Sequence, residues 1–367
     1  MADFKNVLSP ELITRLGSEL AGASASFDRA RFEQLAGEGL EDFELMGRVD
    51  RIARALCATM PASAEVADRE IRTVLDNGGL QGWASMPVNA YIAVAMLDRP
   101  DIGLPLLATL TSRYTAEFSV RPFIDAHYDF TMDCFRTWTM DPDEHVRRLV
   151  SEGTRPRLPW GKRLHRFIDD PSDALALLNL LMDDDSLYVR RSVANHLNDI
   201  AKDHPDLVLE SARRWSTTTT QGDFVVRHGL RTLIKRGDPG ALAILGFDYD
   251  APIEISDFDC SPSTIAIGES ITIGFTLLAA TETRAAIDYV IHYQGARGQK
   301  AGKVFKLTVR DLPAGQPVHF TREHRFEHIS IRRIHPGPHR IEVHVNGRVL
   351  CGTDVMVTKA EASEASD

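Results

Sequence analysis

Three prolines, Pro171, Pro205 and Pro239, stand 34 residues apart, twice over. Among them and just before them, three segments share one pattern: HVRRLV from residue 145, YVRRSV from 188 and VVRHGL from 225. Acidic residues precede each one, Asp143-Glu144, Asp183 to Asp185, and Asp223. They suit a helix N-terminus, where the partial positive charge of the unpaired N–H groups attracts them. Helix-capping also accounts for the Asp183-Asp184-Asp185 triplet more simply than a metal site does. Helical spacing runs through the first 245 residues, as in Leu12, Leu16, Leu20 and in Val49, Ile52, Leu56. An acceptor followed by proline predicts helix starts at Ser9-Pro10, Asp141-Pro142, Asp170-Pro171 and Asp238-Pro239. A two-helix unit of roughly 35–45 residues cannot bury its own apolar stripe, so its copies must stack.

This acid-x-x-Val-Arg unit has the pattern of a HEAT-like repeat, which predicts a mainly α chain: an α-solenoid over residues 1–247 with a concave face. Near residue 246 the period changes. IEISDF, ESITIGFTLL, AAIDYVIHYQ, KVFKLTVRDL, PVHFTREHRF and HRIEVHVNG alternate apolar and polar positions between Gly, Pro, Asn and Asp turns. Asn346-Gly347 is a two-residue hairpin signal. Residues 248–360 therefore predict an immunoglobulin-like β-sandwich. The polar end of the chain predicts a disordered tail over 361–367.

Charge raises a separate question. The chain carries a net −10, yet residues 146–167, VRRLVSEGTRPRLPWGKRLHRF, hold seven Arg or Lys side chains and one acid, Glu152. A second basic region, 297–340, includes Arg297, Arg322, Arg325, Arg332, Arg333 and Arg340. One such run is ordinarily a solvated face, but two in an acidic chain suggest a polyanionic partner, since the local field and not the net charge meets a ligand. The four cysteines show no CxxC spacing, which suits free thiols and a cytoplasmic setting. No apolar run reaches the roughly 18 residues of a membrane span, and MADFKNVLSPELI lacks a signal-peptide pattern.

HExxH, GxSxG, Walker and GxGxxG motifs are absent, so any chemistry rests on carboxylates and aromatics. Glu152 falls where its helix gives way to the loop RPRLPW, and Trp160 lies in that loop among arginines. An ionised carboxylate beside an aromatic face can hold a cation; packing at a core edge is the plainer reading of Trp160. Asp199, in VRRSVANHLNDIAKD, could equally be structural. Glu117, in TAEFSVRPFI, cannot be separated from Asp125 or Asp129 on residues alone. A non-catalytic scaffold that binds DNA or protein therefore stays open beside an enzyme.

EFSVRPFI, HVRRLVSEGTRPRLPWGKRL, VRRSVANHLNDIAKDHPDL and VRHGLRTLIKRGDPGAL together strongly resemble the bacterial HEAT-like-repeat alkylation-repair DNA glycosylases. The branch they resemble is AlkC, which adds a C-terminal immunoglobulin-like domain. Domain order matches too, although the helices before about residue 85 carry no recognised motif. The resemblance implies a monofunctional 3-methyladenine DNA glycosylase acting on N3-methyladenine and N3-methylcytosine. It implies a bent duplex and no flipping of the base into a pocket, unlike most glycosylases. It places the catalytic carboxylates on Glu117, Glu152 and Asp199 and an aromatic wall on Trp160. The partner expected is double-stranded DNA containing alkylated bases, bound by a monomer with no cofactor and no metal. Phosphates would then be met by Arg147, Arg148, Arg155, Arg157, Lys162, Arg163 and Arg190, and by Arg332 and Arg333 of the β domain.

Overall fold

A computed structural model describes residues 4–216, 220–296, 298–329 and 332–359. Arg297 and the tail 361–367 lie outside the described residues. In order, the helices are α1 (Pro10–Ala23), α2 (Arg29–Gly37), α3 (Leu45–Thr59), α4 (Ala64–Asp76), α5 (Ser85–Ala95), α6 (Pro100–Leu110), α7 (Arg121–Ala126) and α8 (Tyr128–Trp138). There follow α9 (Glu144–Gly153), α10 (His165–Asp169), α11 (Ser172–Leu181), α12 (Leu187–Ile200), α13 (Pro205–Ser216), α14 (Thr220–Gly229), α15 (Arg231–Lys235) and α16 (Pro239–Ile244).

The capping chemistry explains several of these boundaries. Ser9 accepts from Leu12 N with Pro10 at the first helical position, and Asp238 accepts from Ala241 N ahead of Pro239. The other two expected starts shift. Asp141 Oδ1 accepts from Asp143 N, so α9 begins at Glu144 under an Asp143 cap. Asp170 Oδ1 likewise accepts from Ser172 N, and α11 begins at Ser172. In both cases the Asp side chain closes a turn two residues on, which delays the helix.

Contacts divide the chain into two compact units, Met1–His204 with Thr217–Gly229, and Pro205–Ser216 with Leu230–Asp367. In the first, α9 packs against α12 and α12 against α14, so the three helices with the shared Val-Arg pattern stack side by side. Val146, Leu149 and Val150 of α9 and Val189, Val193 and Leu197 of α12 are buried. Each such side chain contributes roughly 1.5–3 kcal/mol by leaving water.

The second unit is built on strands β1 (Ile253–Ser261), β2 (Thr264–Ala266), β3 (Ser270–Ala279), β4 (Thr283–His292), β5 (Gln294–Gly295), β6 (Gly298–Gln299), β7 (Lys303–Leu312), β8 (Pro317–Arg325), β9 (Gly337–Val345) and β10 (Arg348–Thr358). A three-stranded sheet runs β1-β3-β8 and a five-stranded sheet runs β2-β10-β9-β4-β7. Alternate residues of both, among them Ile273 and Phe275, Ile287 and Ile291, Ile341 and Val343, meet in one core. This is the sandwich that the alternation predicts. The Asn346-Gly347 turn joins β9 to β10 with both residues at positive φ, 48° and 78°. Gly347 must be glycine for a second reason: a Cβ there would lie 2.3 Å from Gly237 Cα. That close approach, and Asn346 Nδ2 donating to Asp248 O at 2.7 Å, bind the α15–α16 segment to the strands. The compact division therefore falls earlier in the chain than the change from helix to strand.

Candidate active site

Three carboxylates, Glu117, Glu152 and Asp199, are buried and lie in one row, joined by two arginines. Glu117 sits on the turn before α7, Glu152 on the last turn of α9 and Asp199 on the last turn of α12. Local anchors fix each position. Asn89 Nδ2 donates to the carbonyls of Tyr114 and Thr115 at 3.4 and 3.3 Å, which holds the Glu117 turn. Ser192 Oγ donates to Ser151 Oγ at 2.8 Å, and His196 Nδ1 lies 3.0 Å from Ser151 O. These contacts pin α9 to α12 one residue before Glu152 and three before Asp199. His196 is fully buried, and its burial, aided by Arg155 and Arg121, pushes its pKa down to about 3. The ring is therefore neutral, and Nδ1–H donates to the carbonyl.

The charges alternate along the row. Arg148 Nη1 donates to Glu117 Oε2 at 3.0 Å, and its Nη2 lies 3.7 Å from Glu152 Oε1. Arg155 Nη1 donates to Glu152 Oε2 at 3.0 Å, while its Nε donates to Asp199 Oδ2 at 2.9 Å. Lys202 Nζ closes the row on Asp199 Oδ1 at 2.9 Å. Thr115 Oγ1 also donates to Glu117 Oε2. Buried charges are tolerated because each meets an opposite one, and removing one partner of such a pair typically costs about 3–5 kcal/mol. Helical spacing signalled part of this: Arg148/Glu152 is an i,i+4 pair, and Glu152/Arg155 and Asp199/Lys202 are i,i+3 pairs. The sequence reading missed Lys202 and Thr115.

The oxygens are not equivalent. Both oxygens of Asp199 are engaged by cations. Glu152 Oε1 receives only the long approach of Arg148, and among the described residues no hydrogen bond reaches Glu117 Oε1. Those two oxygens are the ones left to meet a ligand or a water.

Trp160 is not at a core edge. It is 67% exposed, and its backbone φ of 63° is a conformation that bulky side chains adopt only under constraint, at an expense of order 1–3 kcal/mol. The loop alternates around it: Pro156, Leu158 and Leu164 are buried, and Pro159 and Trp160 are exposed. The indole lines a hollow of about 460 Å³ with Phe118, Met46, Leu97 and Pro122, and with Asp125 and Lys162. None of the three carboxylates lines this hollow, although Phe118 is the next residue after Glu117.

The basic strip differs from expectation. Arg147 pairs with Asp184 at 2.6 Å and caps the carbonyls of Asp141 and Pro142. Arg148 and Arg155 belong to the carboxylate row, and Arg148 also lies 4.7 Å over the Tyr188 ring. Arg157 makes a two-pronged bond to Asp203 at 2.7 and 3.1 Å. Arg190 turns back onto the carbonyls of Asp184 and Asp185. Lys162, well exposed, touches Asp125 at 3.3 Å, and Arg163 is exposed with no partner among the described residues. Arg147, Arg148, Arg155 and Arg157 are thus held, away from full exposure, by acids distant in sequence, and Arg163 and the more exposed Lys162 remain open to an outside anion.

In the β unit, Arg332 lies 4.3 Å over the Tyr293 ring and 5.9 Å from that of Phe305. Among the described residues its buried Nε and Nη1 have no hydrogen-bond partner, and Arg333 is exposed without a partner. Beside them His324 sits between Tyr289 OH, 3.0 Å from Nδ1, and Tyr293 OH, 2.9 Å from Nε2. Burial, then Arg332, Arg322 and Lys303, pushes its pKa down to about 4.

Known proteins share this architecture. Residues 254–359 match the family model described as the C-terminal Ig-like domain of the uncharacterised protein YhaZ. Over 97% of its length the chain is 35% identical to the whole of the uncharacterized protein YhaZ of Bacillus subtilis (strain 168). The fold is similar, at a TM-score of 0.88 and 34% identity, to the Pseudomonas fluorescens alkylpurine DNA glycosylase AlkC bound to DNA containing an abasic site analog. That match covers 96% of this chain and 99% of AlkC. Sharing a third of its residues with these proteins over nearly its whole length, and both the helical region and the Ig-like domain in the same order, the chain belongs to the family of YhaZ and AlkC.

Proposed function

We propose that this chain is a monofunctional DNA glycosylase of base excision repair. It hydrolyses the bond between deoxyribose and a cationic alkylated base, N3-methyladenine or N3-methylcytosine. One observation carries the proposal: Glu117 and Glu152 are held close by Arg148, and each keeps an oxygen free of hydrogen bonds among the described residues. Methylation at N3 already makes the base a cation, so its departure needs no general acid. As the C1′–N bond breaks, its electron pair neutralises the base and positive charge develops on the sugar. Carboxylate oxygens in a dry site stabilise that charge, typically by about 3–4 kcal/mol for a well-placed group. A water then adds to C1′ and gives up a proton, with general-base help worth roughly 10²–10⁴-fold.

The free oxygens divide the labour. Glu117 and Glu152 face the sugar cation and the water, while Asp199, saturated by Arg155 and Lys202, holds Arg155 and through it Glu152. Trp160 offers its exposed face to the charged base, a contact worth about 1–2 kcal/mol. Lys162 and Arg163 of the helical unit and Arg332 and Arg333 of the β unit meet phosphates. Contacts of this kind must offset the 1–6 kcal/mol or so that bending a duplex costs. The protein acts as a monomer in the cytoplasm.

Incubation of the purified chain with duplex DNA carrying N3-methyladenine, followed by chromatography of released bases, tests the proposal. Free methyladenine and an abasic strand are expected. A chain that binds the DNA and leaves every methylated base attached is a scaffold, and the proposal fails.

A further inference from the structure

Arg121 lies outside the carboxylate row, yet it touches both the row's support and the loop of Trp160. Its side chain is buried, with the residue 3% exposed. Nη1 donates to Gly153 O at 3.0 Å and to Arg155 O at 2.9 Å. Nε donates to Lys162 O at 3.0 Å, and Nη2 donates to the same carbonyl. No carboxylate pairs with it among the described residues. The guanidinium therefore binds three main-chain carbonyls that belong to two places, the C-terminus of α9 and the far limb of the 154–164 loop.

We propose that Arg121 is a positioning residue that sets the distance between the carboxylate row and the face of Trp160. The proposal rests on the glycosylase reading for its activity readout. Its geometry stands alone. The last carbonyls of a helix lack intrahelical partners and carry its partial negative charge, so a cation placed there is favourable. Arg121 supplies that cation, and its rigid planar fork spans carbonyls on two sides at once, where a lysine offers a single ammonium. Burial pushes its pKa down to about 10, so it keeps its charge at neutral pH. The loop leaves α9 at Gly153, two residues from Arg155, and returns to the same guanidinium at Lys162. Trp160 lies two residues before that return, at positive φ. A backbone held in so sparsely populated a region persists only where its surroundings fix it. Close packing adds to the constraint: a Cβ on Gly153 would lie 2.6 Å from Val120 Cγ2, in the residue before Arg121. The segment carrying Glu117 and Arg121 is thus seated directly on the end of the helix carrying Glu152.

Two substitutions in the full chain test this, Arg121→Lys and Arg121→Gln. For each, four quantities are compared with wild type: single-turnover release of N3-methyladenine, affinity for a duplex with an abasic analogue, amide exchange over residues 154–164, and the melting midpoint. In Arg121→Gln the release rate is expected to fall about 10²-fold, the usual result of displacing a catalytic geometry by an ångström. Affinity should change less than threefold, and exchange over 154–164 should accelerate more than in the β unit. Arg121→Lys, able to keep one carbonyl, should fall between. If Arg121→Gln does not fold, the same ordering of release and loop exchange is required of Arg121→Lys alone. Wild-type release and wild-type loop exchange in a folded variant overturn the proposal. So does a fall in release that merely tracks melting and affinity, which marks a general structural role. Should wild type release no base, the glycosylase reading fails, while loop exchange in the variants still decides whether Arg121 holds Trp160.

Discussion

In the helical unit Arg147, Arg148, Arg155 and Arg157 each meet a carboxylate, whereas in the β unit Arg332 lies on an aromatic ring and Arg333 meets no partner among the described residues. Both regions look alike as strings of basic letters. Their fields differ because the acids that neutralise the first region come from elsewhere in the chain. Charge density along a sequence therefore overstates what an outside anion would meet at the strip. Arg148 and Arg155 hold Glu117, Glu152 and Asp199 in one row, while Arg147 and Arg157 hold Asp184 and Asp203.

The largest expected difference follows from removing the cation shared by two acids. Arg155→Met leaves Glu152 and Asp199 without their common partner. Unfolding in denaturant should show a loss of about 3–5 kcal/mol. A loss under 1 kcal/mol would mean that the row is not the tightly coupled element described here.

A second expectation concerns acid. In the β unit burial, and then Arg332, Arg322 and Lys303, keep His324 neutral. An unfolded histidine takes a proton near pH 6.5, while buried His324 takes one only near 4. Stability from this residue is therefore fully present above 6.5, is lost as pH falls to 4, and changes no further below. Asp288, which burial pushes up to about 6, has the opposite sign and offsets part of that loss between pH 6 and 3.8. His196 acts like His324 in the helical unit. His324→Gln should thus make the fall in unfolding free energy from pH 6.5 to 4 shallower. An unchanged slope would show that the fold does not hold this ring neutral below its ordinary range.

The smallest effects separate the two kinds of arginine. Arg333→Gln should reduce the slope of log affinity against log salt by about 1 and leave stability unaltered. Arg147→Gln should do the reverse: it lowers stability, because Asp184 loses its cation, and leaves the salt slope unchanged. Equal salt slopes in both variants would erase the distinction between the regions.

Much of the architecture could be read directly from the letters. Alternation marked β1, β3, β4, β7, β8 and β9, and Asn346-Gly347 gave the turn out of β9, because a period of two and a positive-φ dipeptide are local properties. The three Val-Arg helices were legible from their repeat. What stayed hidden was long-range. Glu117, Asp184, Asp199 and Asp203 lie 31 to 46 residues from the arginines they engage, so no window of sequence contains both. Arg121 was passed over for the same reason: its partners are carbonyls, which carry no residue signature. Trp160 was the reverse case, since a bulky apolar residue ordinarily packs inside and only the fold reveals it facing out.

The most direct measurement is the release of N3-methyladenine by Glu152→Gln under single-turnover conditions, with affinity for the same duplex measured alongside. Stabilisation of a sugar cation by this carboxylate predicts a rate about 10²–10³ below wild type with affinity essentially retained. Full activity in this variant, or a loss of activity explained wholly by lost binding, would contradict it.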